Sequence, residues 1–401
     1  MSARQPPVGG RRMAERANKV LLLVNADCTE RDRHAPAPER GPQRQTDFYE
    51  LMTLLGADVI DWSAVKASRI GRLLERYTNW YVAAAVLAFL EHRRYSLIWC
   101  LTEAEGSVLA LLLKISRVRV PLMMIGVVPT SPAMWIMLRV LRVHSHFTKL
   151  FPTSTLALDT LKVSWGVPAD KLELLPYQVD VDFFDPRWAE PKKHGRPYIL
   201  AAGRESRDYE LLVAAVDGLG IDLVIALGSL WAPADDDSWR ARIPPNVTVT
   251  TTDYVGLRDL YAGCAFVVVP LRETDVQNGI TTIQEAMSMG KAVIASRTRG
   301  QGDLLADDNL VLQDASGRAT GGYFARYFAP SALELHGPTG IYVPPGDVSA
   351  MRAAIERLTE DPGLAAELGA RGRAVCEAVV SLDCFLRRVE AASSPYLGCR
   401  P

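Results

Sequence analysis

The sequence predicts an α/β fold of two doubly wound halves, and three observations predict it. Short apolar runs of strand length alternate with segments of helical apolar spacing nearly throughout, the order of a parallel sheet covered by helices on both faces. The 401 residues suffice for two domains of ordinary size. A stretch rich in Pro and charge, residues 185–197 (DPRWAEPKKHGRP), divides the alternation and reads as a linker.

The elements follow in order. Val20–Asn25 (VLLLVN) reads as a buried strand, and residues 27–45 as a polar loop rich in Arg and Pro. A helix follows over Thr46–Leu55, capped by Thr46 or Asp47 and ended by Gly56. The first half continues with strand 57–61, one or two helices in 67–92, strand 97–101, helix 106–115, strand 121–128, helix 134–143, strand 149–152, helix 156–165 and strand 172–175. In the second half strand 198–202 meets a turn at Gly203 and helix 209–216. Strands 223–227, 247–251, 266–270, 292–295 and 340–343 and helices 350–360 and 364–380 complete it. The expected division is a disordered leader over 1–18, a first domain over 19–184, the linker, a second domain over 198–380, and a tail over 381–401 that crosses back to the first domain. Ligands of such folds bind at the carboxyl ends of the strands, which here face a central cleft between the halves.

Composition excludes several classes. A net charge of −1 offers no global field for nucleic acid, and hydrophobic and charged contents of 48% and 23% are those of a globular protein. The six cysteines form no C-x-x-C pair and the six histidines no H-E-x-x-H pattern, so no metal site is expected and the thiols read as reduced. The N-terminus lacks the apolar core of a secretory signal, which suggests a cytoplasmic location. The uncharged run near residues 120–138 is broken by Pro121, Pro129 and Pro132, so it is not a membrane span. On the helix with Trp135, Arg139 and Arg142, core packing is favoured over a weak peripheral membrane contact.

The chemistry concentrates in Pro270–Asp303, which reads as strand end, glycine turn, helix start, strand and second glycine turn. Asn278, Gly279, Ile280, Thr281 and Thr282 stand at the start of an apolar helical face, and a helix start presents free amides and a positive dipole end to an anion. Glu285, one turn on, is either an exposed helix residue or an acceptor for a hydroxyl pair such as a ribose diol. Arg204 and Arg207, in the turn after strand 198–202, are either solvated charges or a bidentate phosphate grip. Placed in one sheet with the 278–282 helix start they favour the grip, and together these groups suit a nucleoside diphosphate. Arg33, Arg40 and Arg44 mark the loop after the first strand as a place for acceptor contacts, while Asp235, Asp236 and Asp237 read as a solvated loop.

The segments PYQVDVDFFDP (Pro176–Pro186), GRESRDYELL, Gln277–Gly290 and GIYVPPGD (Gly340–Asp347), in that order over roughly residues 148–390, resemble the landmarks of a GT-B glycosyltransferase of family 4. The resemblance implies two Rossmann-like domains and transfer of a sugar from a UDP-, dTDP- or GDP-sugar to a hydroxyl acceptor, with retention and without a required metal or cofactor. It places Gly203, Arg204 and Arg207 on the donor diphosphate with Asn278, Gly279, Ile280, Thr281 and Thr282. Glu285 falls on the ribose as the second glutamate of the E-x7-E motif, and Asp253 and Tyr254 in the region of the base. Gln277 stands where the first glutamate of that motif would touch the sugar, and as a neutral amide it does not stabilise positive charge as a carboxylate does. Gln277, Arg204 and Arg207 are the expected catalytic residues. No histidine follows strand 121–128; His144 and His146 come later, as helix-end residues. Two alternatives remain: a non-catalytic nucleotide-binding homologue acting with a partner, and an epimerase or hydrolase on the same fold. Nothing in the sequence indicates an oligomeric state.

Overall fold

A computed structural model describes residues 19–30, 40–126, 132–191, 195–228, 239, 243–306, 312–313, 319–320 and 337–397. Arg33, Asp235–Asp237 and most of the long connection 307–338 lie outside them. The chain forms two compact units. The first draws on Met1–His34, Gln45–Pro176 and Phe385–Pro401, the second on Ala35–Arg44 and Tyr177–Cys384. The divisions therefore fall at Pro176 and Cys384, and residues 35–44 belong with the second unit.

The first unit is a parallel sheet in the order β2-β1-β3-β4-β5, formed by β1 (Val20–Leu23), β2 (Asp58–Ile60), β3 (Leu97–Cys100), β4 (Leu122–Ile125) and β5 (Lys149–Phe151). The register pairs Leu21 with Asp58 and with Ile98, and Met123 with Trp99 and Lys149. Around the sheet lie α1 (Asp47–Leu55), α2 (Trp62–Ala67), α3 (Arg69–Tyr77), α4 (Trp80–Glu91) and α5 (Glu103–Ile115). The buried Ala83, Ala84, Ala85 and Ala88 let α4 approach the sheet closely. Trp99 stacks on Phe151 at 5.1 Å between centroids and donates its indole N–H to Ser393 Oγ at 3.0 Å. Ser393 ends α13 (Leu382–Ser393), so the chain's last helix supplies a buried partner to the first sheet.

Three expected elements of the first unit come out differently. Helix 134–143 is a short α6 (Pro132–Trp135) followed by a π turn, Ile136–Val140. Met134 and Leu138, four residues apart, are buried, but Trp135 and Ile136 between them are 47% and 46% exposed, so core packing holds for only one face of it. Helix 156–165 is likewise α7 (Thr155–Asp159) and a π turn, Thr160–Ser164. Strand 172–175 shrinks to one bridge between Leu150 and Leu172.

The second unit is a parallel sheet in the order β13-β10-β9-β6-β7-β8, from β6 (Tyr198–Ala202), β7 (Asp222–Ala226), β8 (Val247–Thr250), β9 (Val267–Val269), β10 (Val293–Ser296) and β13 (Ile341–Val343). Its helices are α8 (Tyr209–Val216), α9 (Tyr254–Gly263), α10 (Ile280–Ser288), α11 (Val348–Glu360) and α12 (Pro362–Val375). Two short strands, β11 (Leu312–Gln313) and β12 (Ala319–Thr320), pair antiparallel within the long connection. Over 185–191 the expected linker is mostly exposed and is anchored at its first residue. Asp185 is 4% exposed and caps the 3-10 turn Pro186–Trp188 through the Arg187 amide at 2.8 Å.

Gly369 and Gly372 allow α12 to lie against the end of α10. A Cβ at Gly369 would sit 2.0 Å from the Gly290 carbonyl oxygen, a backbone atom that cannot swing away. Gly369→Ala is expected to cost about 2–3 kcal/mol, seen by calorimetry as a melting temperature lowered by about 5–10 °C.

Candidate functional site

The loop leaving β6 contains two left-handed residues, Gly203 at φ +93° and Ser206 at φ +54°. A Cβ at Gly203 would come within 2.6 Å of the Arg207 guanidinium, so the glycine makes room for that side chain to fold back beneath the loop. Arg207 Nε donates to the Ala202 carbonyl at 3.0 Å, Nη1 to the Glu205 carbonyl at 2.8 Å and Nη2 to Thr282 Oγ1 at 3.1 Å. The residue is 5% exposed, and burial lowers its pKa. Among the described residues it forms no ion pair. Arg207 is therefore not a solvated loop charge: among the described residues, oxygen partners are supplied to three of its five N–H groups and two remain. Arg204 lies half-buried on the same loop.

The turn before α10 meets this loop. Asn278 Nδ2 donates to Ser206 Oγ at 2.8 Å, and the Asn278 carbonyl accepts from Gln301 Nε2 at 3.0 Å. Gly279, at φ +77°, is the N-cap, and a Cβ there would meet Val269 Cγ1 at 2.8 Å. Ile280 opens the helix; Thr281 and Thr282 lie inside its first turn and do not cap it. No side chain caps this terminus, and the first-turn amides of an α-helix lack intrahelical partners. The other end of α10 is covered: Arg373 donates to the Ser288 carbonyl and pairs with Asp185 at 3.2 Å. The helix thus carries a cation at its negative end and leaves its positive end open above Arg207. Gln277, just before the turn, buries both side-chain amide atoms without a hydrogen-bond partner, a costly arrangement that a ligand's hydroxyl groups would relieve.

One turn into α10, Glu285 is 7% exposed and accepts from the Tyr261 hydroxyl at 3.0 Å. Burial pushes its pKa up to about 7, opposed by Arg44, by the Tyr261 hydrogen bond and by Arg207. An exposed helix position is ruled out for it. Arg44, expected among acceptor contacts, instead lies over the Tyr254 ring at 4.2 Å from the centroid, with its Nε buried and unpartnered. The strip carrying it is clamped on α9: Arg40 pairs with Asp259, and the fully buried Arg258 donates to the Arg40 carbonyl and to the Trp188 carbonyl at 3.0 Å. Gly41 faces the Trp188 ring, where a Cβ would approach to 2.6 Å. Asp253 caps α9 through the Gly256 amide at 2.8 Å, so one of its oxygens serves the helix, while Tyr254 is 43% exposed.

The structure therefore brings the Gly203–Arg207 loop against the Asn278–Thr282 helix start through the Ser206–Asn278 and Arg207–Thr282 hydrogen bonds, with Glu285 one turn further along α10. Tyr254 joins Glu285 through Arg44. Sequence reasoning missed Ser206, Tyr261 and the placement of Arg44. Only Tyr261 left a signal, as an aromatic on the apolar side of α9.

The first unit offers less. A pocket there of about 430 Å³ is lined in part by Arg119, His146 and Lys171 and by none of the expected site residues. Arg119 and Lys171 spend their charged groups there on carbonyls of Ser145, His144 and Phe147. Glu105, fully buried with its pKa raised to about 7 by burial, closes a capping box with Thr102.

Residues 196–320 match the family model described as Glycosyl transferases group 1. No curated relative matches the sequence. Among solved structures, a glycosyltransferase from Rickettsia africae ESF-5 is 15% identical with a TM-score of 0.64, over 95% of this chain and 99% of that one. Sucrose-phosphate synthase from Thermosynechococcus elongatus is 17% identical with a TM-score of 0.63, over 94% and 98%. Anabaena HepE, in complex with UDP and glucose, is 15% identical with a TM-score of 0.58, over 94% and 99%. The chain has the GT-B fold, and residues 196–320, within its second unit, match the group 1 glycosyltransferase model.

Proposed function

We propose that this protein transfers a sugar from a UDP-sugar to a hydroxyl acceptor, with retention, the second unit acting as donor domain and the first as acceptor domain. The observation that carries this reading is the buried Arg207 guanidinium, without an ion-pair partner among the described residues, beneath the uncapped start of α10. A buried cation beside unpartnered amides stabilises a bound diphosphate. Arg204 supplies a second charge from the same loop, and Glu285 receives the ribose hydroxyls. The unpartnered Gln277 amide exchanges hydrogen bonds with the donor sugar. As the glycosidic bond breaks, the amides and the two arginines hold the departing diphosphate, whose oxygen takes the acceptor's proton on the same face of the sugar. The UDP complex of Anabaena HepE supports uridine as the base. Calorimetry with UDP, GDP and dTDP tests the reading; absence of binding by all three sinks it.

Arg44 belongs to the nucleoside end of this site. Arg44→Ala is expected to weaken UDP binding by about tenfold, the scale of one charge-assisted contact, with the melting temperature little changed. The neutral Gln277 favours one second reading, nucleotide binding without transfer. Wild-type protein and Gln277→Glu, each offered a panel of UDP-sugars and acceptors, separate the two: product from the wild type supports transfer, and binding without product from the wild type supports the second reading.

A further inference from the structure

The helix α3 (Arg69–Tyr77, RIGRLLERY) presents a face that neither core uses. Its inner side is fixed: Gly71 is buried, with the Val65 carbonyl oxygen 2.3 Å from where a Cβ would stand, and Leu74 packs on the first core. Its outer side carries Ile70, Leu73 and Tyr77, which are 48%, 60% and 74% exposed. Their spacing of i, i+3 and i+7 makes one apolar stripe along the helix.

Arg69, Arg72 and Arg76 flank that stripe, all exposed, and Lys66 is exposed at the end of α2. None of the three arginines forms an ion pair among the described residues. Arg72 donates to the carbonyls of Lys66 and Ala67 at 2.6 and 3.1 Å, and Arg76 lies 5.7 Å from the Tyr77 ring centroid. Glu75, the one acid of the helix, is half-buried on the side of the body. The chain's net charge of −1 therefore hides a local run of cations around an apolar ridge.

We propose that this face of α3 docks on an anionic lipid surface. The match is chemical on both counts. Ile70, Leu73 and the aromatic Tyr77 enter the boundary between headgroups and acyl chains, and the arginines meet lipid phosphates from the flanks. A second copy of the chain is a poor occupant, because a two-fold pairing of this face sets three arginines against three. No helix among the described residues is long and apolar enough to cross a membrane, so the contact lies in the interface plane. A stripe of three side chains gives a weak and reversible attachment that responds to salt. This inference stands apart from the donor site and needs no part of it.

The test is co-sedimentation of the full chain with sonicated vesicles of phosphatidylglycerol and phosphatidylcholine in equal parts, against vesicles of phosphatidylcholine alone. The wild type is expected to pellet with the anionic vesicles only, and to be released at high salt. The paired variant Leu73→Ser with Tyr77→Ser, and the triple variant of Arg69, Arg72 and Arg76 to Gln, are each expected to lower partitioning by about tenfold or more, since each surface cation contributes about fivefold. All five side chains point outward, so melting temperatures and UDP binding should match the wild type. Failure of the wild type to pellet with anionic vesicles overturns the proposal, as does undiminished binding by both variants. A dimer in sedimentation velocity that Leu73→Ser dissolves assigns the face to a second copy and equally overturns it.

Discussion

Arg207→Ala is expected to remove UDP binding by calorimetry and to destabilise the second unit by about 3 kcal/mol. The side chain joins three places: the end of β6 at Ala202, its own loop at Glu205 and the first turn of α10 at Thr282. Its removal takes this donor from the buried Ala202 carbonyl, the Glu205 carbonyl and the Thr282 hydroxyl, at roughly 1 kcal/mol each. The melting temperature should fall by about 6–12 °C. Loss of affinity has a separate origin, since the truncated site no longer holds a cation under the amides of Ile280 and Thr281. Arg207→Lys resolves the two effects. It keeps the charge and loses the fork, so it is expected to bind UDP weakly while remaining less stable than the wild type. A lysine variant with wild-type stability and no UDP affinity, or an alanine variant that still binds, contradicts the assigned role.

Glu285→Gln is expected to act in opposite directions on stability and on binding. Burial raises the carboxyl from 4.5 to about 7 in the folded protein, so the folded pKa lies above the unfolded one. The stability this group contributes is full below the unfolded pKa and is lost as pH rises through about 7. The wild type should therefore weaken between pH 5 and 8 by up to roughly 3 kcal/mol through this residue, and the amide variant should not. Above pH 7 the variant is expected to be the more stable of the two by thermal melting. Binding runs the other way, because an ionised carboxylate is the better acceptor for two hydroxyl groups. Affinity for UDP-glucose, whose diphosphate carries no proton that titrates near neutrality, should rise through pH 7 in the wild type. In the variant it should be flat and about tenfold weaker at pH 8. Superimposable pH profiles for the two proteins would refute a titrating Glu285 at the ribose.

Much of the fold was written in local pattern. Val20–Leu23 and Tyr198–Ala202 are fully buried parallel strands, and such strands read as unbroken apolar runs whatever their neighbours. The helix start at Ile280 was also legible, because Gly279 needs its left-handed conformation and the apolar face follows at once. Its threonines misled: hydroxyl residues favour caps, yet here the glycine takes that position and Thr282 turns inward to accept from Arg207. What the chain hides is pairing across long separations. Nothing near Arg44 announces Tyr254, and nothing near Arg258 announces the Arg40 carbonyl. Periodicity reports which face of an element is apolar, but not which distant loop will lie on it. The π turns at Ile136–Val140 and Thr160–Ser164 were invisible for a related reason, since a spacing of i→i+5 for one turn is too short to register as a period.

The Arg40–Arg44 strip has a consequence for how this protein can be taken apart. The second unit is not contiguous in the chain: its strip over α9 is lent by a segment that gives way at Gln45 to the first unit. Excision as residues 177–384 would take from the Asp259 carboxylate its Arg40 partner and from the Arg258 guanidinium one acceptor, and uncover the part of the Trp188 ring that Gly41 faces. Chimaeras that exchange donor specificity by swapping that one segment would inherit an unfinished surface, and only a graft that carries residues 35–44 along with it transfers a whole module.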